Sequence, residues 1–244
     1  MCVIFFAFDH HPEYPLVLLA NRDEFYLRPT APAQYWEDLP EIFAGRDLVR
    51  GGTWLGVTKA GRFAAVTNFR DPGAPEGTAS RGDLVADFLK TKIPAEEYLR
   101  EIQNNGAKFS GFNLLVGEIN AGKKEMFYHS NRASDIVKLS TGIYGLSNHL
   151  LDTPWPKVVN GKERFAELLN KKELPYEELF ALLADPSLAA DEKLPSTGVS
   201  FEIEKALSAI FIKLSGYGTR SSTVLTIDND SAIDLNEHTW KTED

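Results

Sequence analysis

The sequence predicts an α+β fold in which antiparallel sheets are covered by helices, within one domain spanning residues 1–244. Three observations favour this fold class. Strand-like runs follow each other closely enough to form hairpins, and helical patterns arrive in groups. Strands and helices also do not alternate one by one, as they do around a parallel sheet.

The chain begins with two short apolar runs, "VIFFAF" at 3–8 and "LVLLA" at 16–20, separated by the turn-rich "DHHPEYP". Continuous apolar runs of this length indicate strands buried on both faces, so we expect a central hairpin here. Segment 33–52 is irregular and contains Pro and Gly, which predicts a surface loop. Segment 53–69 predicts a second hairpin, because two β-type runs flank "KAG".

Helical patterns follow in groups, separated by further strand pairs. A helix is predicted to start after a cap near Ser80, because apolar residues then recur at helical spacing from Leu84 to Leu89. The other predicted helices occupy 94–106, 153–170, 175–185 and 201–209, and the other predicted strands occupy 111–119, 124–130, 142–148, 221–228 and 232–238.

Composition and charge exclude several classes of function. With 26 basic and 35 acidic residues the net charge is −9, and no run of Lys or Arg exceeds two, so we expect no nucleic-acid partner. A single cysteine excludes an intrachain disulfide and a Cys-rich metal site, and no metal is predicted. No apolar run approaches the roughly 20 residues of a membrane helix. The first run lacks the features of a signal peptide, so a cytoplasmic location is expected, and nothing indicates the oligomeric state.

Cys2 is the single cysteine of the chain. A free cysteine commonly serves as a small buried apolar side chain, and Cys2 fits that role. Removal of Met1 would instead leave Cys2 with a free α-amine that titrates near ~8. Such an amine can accept the thiol proton and later return it to a leaving group. Packing and nucleophilic catalysis are both open on these grounds.

A nucleophilic Cys2 needs polar neighbours, and several strands end in such residues. If the first two strands pair antiparallel, Asn21 to Glu24 lie beside Cys2, and Asp23 can hold its ammonium group. Asn68, Asn148 and Arg220 also end predicted strands. Asparagine side chains are oxyanion donors, and arginine binds carboxylate or phosphate through its fork. The alternative is that these residues are ordinary solvated strand ends.

Several segments together resemble one known family. They are "CVIFFAF", "LLANRDEFYLRPTAPA", "GGTWLGVTKAGRFAAVTN", "SRGDLVADFL", "GFNLLVG", "YGLSN", "WPKV" and "YGTRSSTVL". In this order they look like the NRDE-motif family, also called the transport and Golgi organisation protein 2 family. The resemblance extends over roughly residues 2 to 240 and combines "NRDE" with both the preceding cysteine and "GGTWLG".

This resemblance implies a fold and a chemistry. The family is grouped with the N-terminal nucleophile hydrolases, whose fold is a four-layer αββα sandwich of two antiparallel sheets. By similarity to the cysteine branch, which includes bile salt hydrolases and penicillin V acylases, Cys2 is the expected nucleophile. Asp23 is expected to bind its amine, Asn68 and Asn148 to line the oxyanion hole, and Arg220 to orient the cysteine. The implied reaction is cleavage of an amide or thioester of a small hydrophobic molecule, without a cofactor.

One position departs from that branch. Its members carry an arginine three residues before the aspartate, whereas this chain has Ala20 there and Arg22 next to Asp23. Neighbouring residues of a strand face opposite sides of the sheet. The role of Arg22 is therefore not given by the resemblance.

The family resemblance also supports a different function. Eukaryotic members are linked to lipid and acyl-CoA metabolism and to intracellular haem movement, which implies a non-catalytic carrier of haem or acyl-CoA. Haem would need an axial ligand such as His149 or the Cys2 thiolate. The residues predicted to contact either kind of ligand are Asn21, Arg22, Glu24, Trp54 and His149.

Overall fold

The structure is a computed structural model, and it describes residues 2–241. Met1, whose removal the nucleophile hypothesis requires, lies outside these residues. The strands are β1 (Cys2–Phe8), β2 (Leu16–Phe25), β3 (Thr30–Tyr35), β4 (Ile42–Asp47), β5 (Leu55–Thr58), β6 (Arg62–Asn68), β7 (Phe112–Asn120), β8 (Lys123–Ser130), β9 (Ile136–Lys138), β10 (Gly142–Leu146), β11 (Lys213–Leu214), β12 (Tyr217–Ile227) and β13 (Ile233–Thr239). The α-helices are α1 (Arg81–Lys90), α2 (Ala95–Asn105), α3 (Pro156–Leu169), α4 (Tyr176–Leu183) and α5 (Phe201–Ala206).

The strands form two antiparallel sheets. Sheet A has the order β10-β1-β2-β12-β11, with β13 also paired to β12. Sheet B has the order β3-β4-β5-β6-β7-β8-β9. Residues Cys2–Phe8 of β1 pair along their whole length with β2, which confirms the predicted N-terminal hairpin.

Side-chain alternation along β1 divides the core into layers. Ile4 and Phe6 point toward sheet B and pack in the core between the sheets. Val3 and Phe5 point the other way and pack against α3 and α4. A third core lies between the outer face of sheet B and the helices α1 and α2. The result is the four-layer αββα sandwich that the family resemblance implied. The sequence of β1 is a continuous apolar run because both of its faces are buried.

The prediction of a surface loop over 33–52 is wrong, because this segment contributes to β3 and contains β4. Ile42 and Ala44 of β4 are buried against α1 and α2. Gly45 has no side chain because the Trp54 indole occupies that space, and a Cβ there would lie 2.3 Å from the ring. The glycine that suggested a loop is therefore a packing requirement within a strand.

Helix α1 begins where the sequence predicted. Ser80 adopts an extended conformation, and its Oγ accepts a hydrogen bond from the Gly82 N–H. The remaining predicted helices are present within a few residues of their expected bounds. Among residues 2–241, no helix is both long enough and apolar enough to span a membrane.

Candidate functional site

Cys2 and Arg22 are direct neighbours across the β1–β2 pair. Both lie on the side of sheet A that faces sheet B, because Ile4 and Ala20, two residues away on each strand, pack in the core between the sheets. Burial raises the pKa of the Cys2 thiol, and the Arg22 guanidinium partly offsets this by favouring the thiolate. Arg22 also shares a face with Ala20, the position at which the cysteine branch carries its arginine.

A cavity of about 530 Å³ lies in front of Cys2. This volume is within the roughly 300–1,000 Å³ that is usual for small-molecule sites. Besides Cys2, its apolar and aromatic lining residues include Phe25, Trp54, Val66 and Tyr217. Its charged lining residues are Arg22, Asp23, Glu24, Arg28, Asp47, Arg50, Glu76 and Arg81. The cavity is therefore suited to a small molecule that carries polar or charged groups.

Arg22 is buried in the wall of this cavity. The residue is only 5% exposed, and its guanidinium carbon lies 4.2 Å from the centroid of the Trp54 ring. Its nearest carboxylate is Glu24, with 3.9 Å between Nη2 and Oε2. Within residues 2–241 no group accepts a hydrogen bond from Arg22 Nη1. Burial lowers the pKa of Arg22, but an arginine side chain stays protonated in proteins.

Asp23 lies beside Cys2 on the opposite face of β2. Its Oδ1 accepts a hydrogen bond of 2.7 Å from Thr219 Oγ1, and its backbone carbonyl accepts one of 3.2 Å from the Tyr217 hydroxyl. Burial raises the pKa of Asp23, while the nearby Lys157 ammonium acts in the opposite direction. This places a carboxyl group and a lysine behind the first residue of β1.

Side chains form hydrogen bonds between the end of β6 and the segment that follows β10. Asn148 Nδ2 donates to the Asn68 carbonyl at 3.0 Å, and Thr67 Oγ1 donates to the Ser147 carbonyl at 2.7 Å. Ser147 Oγ in turn donates to the Cys2 carbonyl at 3.2 Å. These bonds join sheet B to sheet A at Cys2. They bring Asn68, which lines the cavity, to the same end of the sandwich.

A buried ion pair supports this connection. Arg70 Nη1 lies 2.6 Å from Glu204 Oε2, and both side chains are 5% exposed. The Arg70 backbone N–H donates to the Asn148 carbonyl at 2.7 Å. The Arg70 guanidinium also stacks over Trp155, and Glu204 accepts a hydrogen bond of 2.8 Å from the Thr197 N–H. The pair therefore connects α5 to the segment that carries Asn148.

Lys157 predicts a specific pH dependence of stability. Burial lowers the pKa of Lys157 to about 8, and its Nζ donates to the Leu207 carbonyl at 3.0 Å. An unfolded lysine titrates near ~10.4, so between these values the unfolded state binds one more proton and stability rises by about 1.4 kcal/mol per pH unit. We expect urea unfolding at pH 7.5, 8.5 and 9.5 to show that Lys157→Met lacks this increase.

The control for this prediction is Lys171→Met. Lys171 is exposed and pairs with Glu178 on the surface. We expect the difference in unfolding free energy between wild type and Lys171→Met to be independent of pH over this range. If the wild-type and Lys157→Met curves also run parallel, the buried ammonium at Lys157 does not titrate as described.

The structure brings together most of the residues predicted for the site. Those that line the cavity are Cys2, Arg22, Asp23, Glu24, Trp54 and Asn68. Glu24 lies at the cavity edge, where its Oε1 accepts a hydrogen bond of 2.9 Å from the Phe25 N–H. These six residues therefore belong to one site.

Two predicted contact residues lie elsewhere. Asn21 points toward the helical layer, where its amide donates to the carbonyls of Leu183 at 2.8 Å and Ile210 at 2.9 Å. Its side chain therefore attaches that layer to sheet A instead of contacting a ligand. His149 packs against Phe69 and Trp155 rather than lining the cavity.

The two remaining predicted catalytic residues have structural contacts instead. Arg220 Nη1 donates to the carbonyls of Phe25 and Arg28 and so holds the turn after β2. A β-bulge between Thr219 and Ser221 accounts for this, because it changes where the Arg220 side chain is directed. Asn148 is fully buried and uses its Nδ2 to bind the Asn68 carbonyl. Arg22, and not Arg220, is the arginine beside Cys2.

Sequence reasoning missed several residues of the site. Arg81 lines the cavity, and Lys157, Arg70 and Ser147 lie behind it or connect its walls. Arg81 directly follows the predicted cap Ser80, so the start of α1 was a usable signal. Nothing in the spacing shows that α3 brings Lys157 to Asp23. Across residues 2–241, no group of three or more His, Cys, Asp or Glu side chains could hold a metal ion.

Comparison with known sequences identifies relatives that match over nearly their whole length. The profile of the family described as Transport and Golgi organisation 2 matches residues 1–242. The Homo sapiens Transport and Golgi organization protein 2 homolog is 36% identical over 261 residues, covering 100% of this chain and 95% of the human protein. The Drosophila melanogaster Transport and Golgi organization protein 2 is 28% identical, covering 98% of this chain and 92% of that protein.

Comparison with solved structures identifies the fold. The Caenorhabditis elegans N-acylethanolamine-hydrolyzing acid amidase ortholog superposes with a TM-score of 0.53 at 11% identity, covering 92% of each chain. At this identity the likeness concerns the fold alone.

Proposed function

The chain belongs to the Transport and Golgi organisation 2 family and has the four-layer fold of the N-terminal nucleophile hydrolases, and from this premise we propose that it is a cysteine hydrolase. In this proposal Cys2 is the nucleophile and the substrate is an amide or thioester of a small molecule. The observation that carries the proposal is the position of Cys2. It opens β1, faces a cavity of about 530 Å³ and lies directly opposite the buried Arg22.

The proposed reaction begins after Met1 has been removed. The Cys2 α-amine, held by Asp23, takes the thiol proton, and Sγ attacks the carbonyl carbon of the substrate. The tetrahedral intermediate collapses when the ammonium returns its proton to the leaving amine or thiol, which gives an acyl-Cys2 thioester. Water, deprotonated by the same amine, then hydrolyses this thioester and releases the acid.

Asn68 is the proposed donor to the oxyanion. It ends β6 and lines the cavity, and its side chain forms no hydrogen bond within residues 2–241. Its Nδ2 group is therefore available to the negative oxygen that develops on the substrate. Asn148 takes a positioning role in this proposal, because its Nδ2 holds the Asn68 carbonyl at 3.0 Å.

The requirement for a free N-terminus gives a direct test of the proposal. We compare a C-terminally tagged protein, whose Met1 loss is verified by intact mass, with a protein that carries an extension before Met1. Both are screened against amide, ester and thioester substrates. We expect hydrolysis only in the first, since the extension removes the free amine. Equal hydrolysis by both proteins would contradict the α-amine mechanism.

A second candidate function is non-catalytic binding of haem or acyl-CoA in the same cavity. The raised pKa of the Cys2 thiol favours it, because a protonated thiol is a weak nucleophile. Among the described residues that line the cavity, Cys2 is the one with a thiol or imidazole for haem iron. Saturable binding without turnover in the processed protein would support this candidate. A cytoplasmic location belongs to both candidates, since a free thiol persists in a reducing compartment.

A further inference from the structure

We propose that the Cys2 cavity contains an anion-binding site centred on Arg22 and Arg81, so that its ligand carries a carboxylate or phosphate group. The anion site stands on the geometry of the cavity. The further statement, that this anion belongs to a substrate that the protein hydrolyses, rests on the proposed function. The ligand is then an anionic acyl compound rather than a purely hydrophobic one.

The first observation is the unmet hydrogen-bonding capacity of Arg22. The residue is 95% buried, and its Nη1 lacks an acceptor among residues 2–241. A buried charged donor without an acceptor is costly, so such a group usually meets a ligand or water. The Trp54 ring lies 4.2 Å from the guanidinium carbon and covers one of its faces. The carboxylate of Glu24, at 3.9 Å, is too distant for a short charged hydrogen bond.

The second observation is a second arginine of the same cavity. Arg81 Nη1 donates to the Gly111 carbonyl at 3.2 Å, and no carboxylate of the described residues forms an ion pair with Arg81. Arg22 and Arg81 both line the Cys2 cavity, so the two side chains adjoin a common space. Arg28 differs, because its Nη2 lies 2.7 Å from Asp47 Oδ2 and its charge is compensated.

The third observation is the start of α1. Residues Ser80, Arg81 and Gly82 line the cavity, and the last two of these begin the 10-residue helix α1. The N-terminus of a helix carries a partial positive charge that favours anions. Gly52 lets the loop before β5 pack on this turn, since a Cβ at Gly52 would lie 2.6 Å from the Gly82 carbonyl carbon. The helix start is therefore held in the cavity wall.

The acidic residues of the cavity compensate these charges only in part. Glu24 lies 3.9 Å from Arg22 and is shared with Arg28, which lies 3.8 Å from the same carboxylate oxygen. Asp47 is engaged by Arg28, and Asp23 lies on the other face of β2 with its Oδ1 bound by Thr219. Glu76 is exposed to solvent. A planar anion with two oxygens fits the fork of a guanidinium group, as carboxylates and phosphates do. The cavity thus offers such an anion a position close to Cys2.

Isothermal titration of the Cys2→Ala protein tests this site without interference from turnover. The probes are hexanoate, its uncharged counterpart hexanamide, and inorganic phosphate. We expect hexanoate or phosphate to bind, with hexanamide at least about tenfold weaker, because it lacks the charge-assisted bond. Added NaCl weakens the binding. Tighter binding of hexanoate would identify the anionic group of the ligand as a carboxylate, and tighter binding of phosphate would identify it as a phosphate.

Three variants in the Cys2→Ala background complete the test. Arg22→Gln and Arg81→Gln are each expected to weaken anion binding by at least about tenfold. Arg100→Gln changes an exposed arginine of α2 that pairs with Glu96, and is expected to leave binding unchanged. Circular dichroism and thermal unfolding verify that each variant is folded. If Arg22→Gln does not fold, Arg81→Gln and the charge-retaining Arg22→Lys decide the outcome, and the latter is expected to bind with intermediate affinity.

Two results would overturn the inference: absence of binding for both anions, or affinity that does not change in the folded variants. These results are separable from failure of the proposed function. Anion binding that depends on Arg22, in a protein without turnover, contradicts the hydrolase and keeps the anion site. Turnover that depends on Cys2 but has the same KM in wild type and Arg22→Gln contradicts the anion site and keeps the hydrolase.

Discussion

Replacement of Cys2 by alanine is expected to lower kcat/KM for an ester or thioester substrate by at least about 10³-fold, because it removes the proposed nucleophile. The substitution deletes one sulfur atom at the first position of β1. The pairing of β1 with β2 and β10 depends on backbone hydrogen bonds and is retained. We therefore expect the melting temperature to be nearly unchanged. Steady-state kinetics on p-nitrophenyl esters and acyl thioesters, together with thermal unfolding, measure both effects.

The matched control is Cys2→Ser. Serine places a hydroxyl group where the thiol was and leaves the α-amine unchanged. Its hydroxyl is far less acidic than a thiol. We expect it to retain a trace of activity above Cys2→Ala, with the same stability. Turnover within about tenfold of wild type in a folded Cys2→Ala protein would remove Cys2 from the mechanism.

Replacement of Arg70 by methionine is expected to lower the free energy of unfolding by about 3–5 kcal/mol. The physical reason is that Glu204, itself 5% exposed, is then left without its cationic partner at 2.6 Å. Urea unfolding followed by circular dichroism measures the loss.

Two variants test the cause of this loss. The double variant Arg70→Met/Glu204→Leu removes both charges and is expected to recover most of the stability. Arg164→Met breaks an exposed ion pair with Asp185 and is expected to cost no more than about 1 kcal/mol. A loss below about 1 kcal/mol in Arg70→Met would show that Glu204 finds water or neutralises when its partner is absent.

The parts of the fold that were predicted correctly depend on local patterns. The β1–β2 hairpin and the start of α1 follow from apolar periodicity, turn residues and a capping serine. Strands β3 and β4 were missed because each has only six residues, with a proline in β3 and a glycine in β4, so neither shows a clear strand pattern. Gly45 suggested a loop, yet it is required by the Trp54 ring.

The candidate site was predicted in part for a related reason. Antiparallel pairing of the first two strands is sufficient to place Arg22 and Asp23 beside Cys2. Alternation indicates that these neighbours face opposite sides, but tertiary packing decides which side contains the cavity. Arg220 was expected to orient Cys2, but a β-bulge directs its side chain elsewhere, and such a bulge cannot be recognised from the spacing of residues in the sequence. Arg81 was missed because its place in the cavity wall depends on how sheet B and α1 pack against the end of sheet A.

The most direct test of the central claim is the mass of the protein during turnover. Protein is mixed with an acyl thioester, quenched within the first turnovers and analysed by intact mass and peptide mapping. The proposed mechanism predicts a chain without Met1 that transiently carries one acyl group on the Cys2 thiol, and no such adduct in Cys2→Ala. Hydrolysis by a chain that retains Met1, or an acyl group on any other residue, would contradict it.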